Sequence, residues 1–323
     1  SAGVSIKDLL SGVRSEAQLP YLKELQEKQE RYQKKGPEDL GITGIPSHFI
    51  DLDKMINGLT ASNLMILAAR PAMGKTALAL NMAENVAFKT GLPVGVFSLE
   101  MTAEQLLHRM ICSQSEVASD KIRTGSLNGT EYQRIVSAVN SMMEATVIID
   151  DQPGLKITDL RARARRMKES HNIQFLVVDY LQLITGSGLS RGQENRQNEI
   201  SEISRMMKTL ARELSLPILC LSQLSRKVEE RTGHRPMMSD LRESGSIEQD
   251  SDIVMFLLRR EYYDPYDKPG QAELIVAKNR HGAIGNINLS YRKELAQFVN
   301  YSPLRTDSDL SDNAEAFAAF NPN

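Results

Sequence analysis

Tryptophan is absent from this 323-residue chain, aromatic residues reach only 5%, and cysteine occurs twice. Both thiols sit in apolar settings, Cys112 in a helical pattern and Cys220 within Pro217-Ile-Leu-Cys-Leu-Ser. Two such cysteines exclude a disulfide framework and a cysteine-based zinc site, and they fit a reducing compartment. Apolar runs such as Leu64–Ala69 and Ile253–Leu258 fall far short of the roughly 18 residues a membrane span needs. The start of the chain carries no basic segment leading into an apolar signal-type core. A cytoplasmic protein with no membrane partner is therefore expected. Charge of one sign is lacking too: 39 Lys+Arg against 41 Asp+Glu leave a formal charge of −2. No chain-wide basic footprint exists, so any nucleic-acid contact must come from local clusters.

What is present is a strong alternation of strands and helices. Continuous apolar runs predict strands at Leu64–Ala69, Pro93–Leu99, Thr146–Ile149, Phe175–Val178, Ile218–Ser222, Ile253–Leu258 and Glu273–Ala277. Helical patterns fall between several of them, at 75–89, 102–112, 158–169 and 197–214. Strands that are apolar throughout, rather than at every second position, imply a largely parallel sheet covered on both faces, an α/β fold. Gly285-Asn-Ile-Asn-Leu-Ser-Tyr and Leu295-Ala-Gln-Phe-Val read as a closing pair of strands. The chain divides into three parts: a helical linker segment over 1–40, the α/β domain over 41–303, and a polar, acidic tail over 304–323, expected to be disordered. In the first part Ile6, Leu9, Leu10 and Val13 form one apolar helical stripe. A second helix begins near Pro20 and stops at Gly36-Pro37. A short helix with one apolar stripe needs a surface, on its own domain or on a neighbouring subunit.

The sharpest motif is Ala69-Arg70-Pro71-Ala72-Met73-Gly74-Lys75-Thr76, placed between a buried strand and a helix. That is the setting of a phosphate-binding loop. Backbone N–H groups around Ala72, Gly74 and Ala77 cradle phosphate oxygens, Lys75 adds a point charge, and the Thr76 hydroxyl is placed to ligate Mg²⁺. Ala69 stands where the usual motif has its first glycine. A carboxylate for the metal side must end a buried strand, and Asp150 and Asp179 both qualify by spacing. Glu100 ends the strand after the loop's helix and faces the same crevice as Lys75, as a candidate base for water. Its charge could equally serve the start of the helix near Thr102.

These residues resemble the ATPase domain of the DnaB-type bacterial replicative DNA helicases from about Ser5 to Asn300. The likeness rests on seven blocks in family order: Gly44-Ile-Pro, Ala68 through Thr76, Phe97-Ser-Leu-Glu-Met, Leu176-Val-Val-Asp-Tyr-Leu-Gln, Leu221-Ser-Gln-Leu-Ser-Arg, Asp240 through Asp250, and Lys278-Asn-Arg. The resemblance implies a RecA-like P-loop NTPase core that uses ATP and Mg²⁺ and assembles into a homo-oligomeric ring, a hexamer, around single-stranded DNA. It implies 5′→3′ movement on that strand and unwinding at replication forks. By the same likeness Asp179 is the Mg²⁺-side carboxylate, Glu100 polarises the attacking water, and Gln223 senses the γ-phosphate. Arg109 is a nucleotide contact; Lys278, Asn279 and Arg280 reach the neighbouring subunit's ATP, with Arg280 as the finger. The linker helix is expected to dock on the adjacent subunit. Members of the family usually carry a helical N-terminal domain before the linker, and primase and a helicase loader are expected partners of the full-length protein.

DNA contacts are less legible. The stretch 226–243 carries Arg226, Lys227, Arg231, Arg235 and Arg242 against Glu229, Glu230, Asp240 and Glu243, close to balance. Arg191 and Arg196 face Glu194 in another polar stretch. The resemblance assigns DNA phosphate contacts to the turn containing Arg242, Glu243 and Gly245. Arg161, Arg163, Arg165, Arg166 and Lys168 form a more basic cluster, but on a helix leading into a buried strand, so a solvated helix face is expected. With Tyr262, Tyr263 and Tyr266 confined to one loop, phosphate tracking is favoured over base stacking. The alternatives are a RecA-like recombinase or repair ATPase, and a nucleotide-gated assembly module that does not unwind DNA.

Overall fold

The computed structural model describes residues 41–186, 193–241 and 245–302. The linker segment, the acidic tail, Arg191, Arg242 and Glu243 lie outside them, as does the side chain of Arg196. In chain order the elements are α1 (Ile50–Ile56), β1 (Leu64–Ala69), α2 (Lys75–Glu84), β2 (Val94–Ser98), α3 (Ala103–Ser115), α4 (Ser119–Thr124) and α5 (Gly129–Glu144). The next are β3 (Val147–Asp150), α6 (Ile157–His171), β4 (Phe175–Asp179), α7 (Gln193–Leu214), β5 (Ile218–Gln223), α8 (Gly245–Asp250) and β6 (Ile253–Leu258). Strands β7 (Gln271–Asn279), β8 (Gly285–Arg292) and β9 (Gln297–Asn300) close the domain.

One nine-stranded sheet runs β3-β2-β4-β5-β1-β6-β7-β8-β9. The first six of these pair in parallel and the last three add antiparallel. Both faces are covered, which is why the central strands read as unbroken apolar runs. Met65, Leu67 and Ala69 point to one core with α1, α2 and β9, whereas Leu64, Ile66 and Ala68 point to a second core with α6 and α7. Within the described residues the expected strands and the helices expected at 75–89, 102–112, 158–169 and 197–214 are present, with ends that differ by a few residues, and the two linker helices lie outside the described residues. Helix α5 is not among those expectations, although Asn128 and Glu131 form a capping box at its start. The basic cluster on α6 is a solvated face, but a paired one: Arg161 and Arg165 bind Glu213, and Arg163 binds Asp150 at 2.8 Å. Those arginines hold the Glu213 carboxyl down at about 2, Arg165 more than Arg161.

A buried acid ties the far end of α2 to its neighbours. Glu84 is 2% exposed, and its Oε2 accepts from Ser113 and Gln114 at 2.9 Å each and from Asn81 at 3.4 Å. Its other oxygen has no partner. Burial pushes the carboxyl up from 4.5 to about 7, and the three donors offset only part of that. The group therefore keeps its proton in the folded chain while the unfolded chain releases it, so folding stability falls between pH 4.5 and 7. At about 1.4 kcal/mol per pKa unit the loss is of the order of 3 kcal/mol. Glu84→Gln should remove it. Denaturant melts at pH 5 and pH 8 should show a gain for the variant confined to the higher pH; an equal effect at both would show that Glu84 is not the titrating group.

Candidate active site

Parallel strands bring their C-terminal ends to one edge of the sheet, and the loops there build the site. Ala69 closes β1 in register with Gln223 at the end of β5, and the Leu224 N–H donates to the Ala69 carbonyl at 3.1 Å. Because Ala69 is still an extended strand residue, nothing at that position calls for glycine. The demand falls later. Ala72 has φ +64° and Gly74 φ +92°. A Cβ on Gly74 would lie 2.9 Å from the Phe298 ring, so both conformation and space require glycine there.

A cavity of about 510 Å³ opens over the loop. Ala72, Gly74, Lys75, Thr76, Ala77, Glu100, Arg109 and Gln223 all line it, as do Tyr180 and Tyr291. Lys75 is nearly buried; its Nζ lies 3.5 Å from Asp179 Oδ1 and 4.4 Å from the centre of the Tyr180 ring. Burial lowers its pKa, against the raising pull of Asp179 and Glu100. The Thr76 hydroxyl donates to Asp179 Oδ2 at 2.6 Å. Asp179 Oδ1 is buried with the Lys75 ammonium at 3.5 Å and no closer hydrogen-bond partner, which fits a hydrated divalent cation beside the Thr76 hydroxyl. Among the described residues no group of three His, Cys, Asp or Glu side chains converges, so protein ligands alone would not enclose such an ion. Substrate oxygens and water complete a Mg²⁺ shell in sites of this kind. Asp150, the other candidate, is engaged with Arg163 at the edge strand β3.

Lys278, Asn279 and Arg280 are not at this cavity. They end β7 beside the start of β6, with Asn279 in register with Ile253. That is the opposite edge of the sheet, roughly 20 Å away at ~3.3 Å per strand residue. Lys278 donates to the Ser251 carbonyl at 2.6 Å and to that of Glu248; Arg280 donates to the Gln249 carbonyl and lies 3.6 Å from Asp252. These cations thus sit against the C-terminal carbonyls of α8, where positive charge is favourable. Asn279 donates to the Met55 and Ala283 carbonyls at 3.1 Å each. Gly245 is the first residue of α8, with open space where a Cβ would stand.

Three features of the site are missed by the sequence reading. Tyr180 lies inside the Leu176–Gln182 block, and its place directly after Asp179 is the signal that could have found it. Arg70 donates to Glu229 and to the Leu224 carbonyl, both at 2.9 Å, tying the phosphate loop to the segment after β5. Arg259 donates to the Ala72 carbonyl from the end of β6, and nothing in its surroundings in the sequence signals that.

Residues 44–300 match the family model described as the DnaB-like helicase C-terminal domain. The chain belongs to that family. It is 51% identical over 260 residues to the replicative DNA helicase DnaB of Geobacillus stearothermophilus, covering 80% of this chain and 57% of the relative. It is 48% identical over 274 residues to the replicative DNA helicase DnaC of Bacillus subtilis, covering 84% and 60% respectively. The chain thus spans about three-fifths of the length of these curated relatives. A solved DnaB-like replicative helicase, described with its interactions with primase, superposes at TM-score 0.77 with 36% identity, over 87% of this chain and 66% of that one. A solved ATPase domain superposes at the same score over 86% of this chain and 98% of its own length. The mostly parallel sheet with helices on both faces is the RecA-like ATPase fold of DnaB-like helicases. Among the described residues no helix is long and apolar enough to cross a membrane.

Proposed function

We propose that this chain is the ATP-driven motor of a replicative DNA helicase, working in the cytoplasm as a homo-hexameric ring that moves 5′→3′ on single-stranded DNA. The observation that carries the reading is a division of parts. The phosphate loop, Asp179, Glu100, Arg109 and Gln223 gather at one sheet edge, while Lys278 and Arg280 stand at the other. Cations at the far edge can meet a nucleotide only if it belongs to a neighbour.

In that arrangement the backbone N–H groups of the phosphate loop and the Lys75 ammonium hold the β- and γ-phosphates. Thr76 and Asp179 would hold Mg²⁺, which neutralises charge on the β- and γ-oxygens when bound. Glu100 orients a water for in-line attack on the γ-phosphorus and takes its proton as the bond to the β-phosphate oxygen breaks. Arg280 of the adjacent subunit meets the developing charge. The linker's apolar stripe, Ile6 through Val13, docks on a neighbour, and exposed apolar side chains are available to receive such a segment: Tyr132, Val136 and Met143 along α5, and Leu107 on α3, which packs against α5. Primase and a loader are the partners proposed for the whole protein.

Gln223 links the two ligands. It lines the cavity and leads directly into the segment 224–241, so a γ-phosphate contact can order that segment for DNA. Order–disorder coupling of this kind is an established switching mode. Gln223→Ala is therefore expected to bind ATP like the parent but to lose stimulation of hydrolysis by single-stranded DNA. Steady-state assays with and without an oligonucleotide check this; full stimulation in the variant would refute the coupling.

A further inference from the structure

A phosphate loop works by turning successive N–H groups inward onto an anion, which sends carbonyl groups outward. An outward carbonyl takes a donor of its own, from water or from a side chain. At Ala72, a residue with positive φ in the middle of the loop, that donor is Arg259 Nη1 at 3.2 Å. Arg259 is 6% exposed and does not line the cavity.

A buried guanidinium is costly unless it is paired, and here each of its three nitrogens has an acceptor. Nε donates to Glu261 Oε1 at 3.0 Å, and Nη2 pairs with the same oxygen. Glu261 Oε2 accepts from the Gly270 N–H at 2.6 Å, and the Gly270 carbonyl accepts from the Tyr291 N–H at 2.7 Å. The circuit closes where the guanidinium lies over the Tyr291 ring, 4.1 Å from its centre. Tyr291 packs on Phe298 at 4.4 Å between centres, and the Phe298 ring is what bars a Cβ from Gly74. The loop is thus gripped at Ala72 and at Gly74 by side chains from β8, β9 and the end of β6. Its inner surface is left free.

We infer that Arg259 is a positioning residue for the triphosphate: with Tyr291 it fixes the outer side of the phosphate loop in its anion-binding shape without itself touching nucleotide. This rests on the cavity being the nucleotide site, and it assigns a task to the antiparallel end of the sheet. Loss of the grip lets the loop's N–H groups diverge, so binding suffers before chemistry does.

The test uses the whole chain and a fluorescent ADP titrated at equilibrium without DNA, together with kcat and KM for ATP. Arg259→Met should raise the ADP Kd and the KM roughly 10- to 100-fold, the range for a lost charge-assisted hydrogen bond. At saturating ATP, kcat should change less than about threefold, since an interaction made equally in ground and transition states moves KM alone. Arg259→Lys should fall between, because an ammonium can reach one acceptor but cannot stack and fork together. Tyr291→Leu should weaken binding severalfold yet add little to Arg259→Met, as residues of one unit do. Parental Kd in a folded Arg259→Met chain overturns the inference, and so does a fall in kcat with Kd unchanged. If Arg259→Met does not fold, parental Kd in both Arg259→Lys and Tyr291→Leu overturns it. A parent chain that binds ADP but never unwinds DNA would instead sink the helicase reading and leave this one standing.

Discussion

Glu100→Gln should lower kcat for ATP hydrolysis by roughly 10²- to 10⁴-fold, the usual worth of a positioned general base. ATP affinity should stay near the parental value. The substitution keeps the shape and one acceptor oxygen but removes the charge and the site for the proton. Glu100 lies just past the end of β2 and lines the cavity beside Lys75, whose charge it influences. The competing role, negative charge at the start of α3, is already filled. Thr102 and Gln105 form a capping box there, and the Ala103 N–H donates to Asp151 at 2.8 Å. Single-turnover hydrolysis with a parallel binding titration measures the effect. Parental kcat would move the chain to the class of nucleotide-gated modules that bind without needing to hydrolyse.

Arg280→Ala should cost more, roughly 10³- to 10⁵-fold in the assembled state, as loss of an arginine finger does. Within one subunit Arg280 supports the carbonyl end of α8 and lies 3.6 Å from Asp252, contacts worth about 1 kcal/mol at a half-exposed position. Removing these alone would slightly lower the melting temperature and leave hydrolysis intact. Mixing separates the two roles. Arg280→Ala subunits keep Glu100, and Glu100→Gln subunits keep Arg280, so an interface between them can contain one complete site. Mixed preparations should therefore hydrolyse ATP faster than either variant alone. Strict absence of recovery, with mixed assembly verified by sizing, would place Arg280 outside the reaction.

Legibility tracks the range of the physics involved. The parallel strands are readable because two-sided burial writes itself into consecutive residues, as in Leu64–Ala69 and Ile253–Leu258. The phosphate loop is readable because strand, turn and helix N-terminus are contiguous. Asp179 and Asp150 cannot be told apart by spacing, since both end apolar strands. The difference lies in partners distant in the chain, Thr76 for one and Arg163 for the other. Helix α5 is hard to read because its apolar positions Tyr132, Val136 and Met143 face outward rather than into the core, which blurs the usual pattern of a buried stripe. Arg259 is invisible for a related reason. A charged residue after a buried strand reads as a strand end exposed to solvent, and only the antiparallel return through Gly270 and Tyr291 makes it a buried clamp.

The central claim is that the nucleotide site is completed by a neighbour and driven by DNA. Its most direct test is steady-state ATP hydrolysis across a range of protein concentrations, with and without single-stranded DNA. A rate per subunit that climbs steeply with concentration, and rises again with DNA, is the expected result. A rate that stays flat with concentration and ignores DNA, in a preparation shown by sizing to form rings, would contradict it.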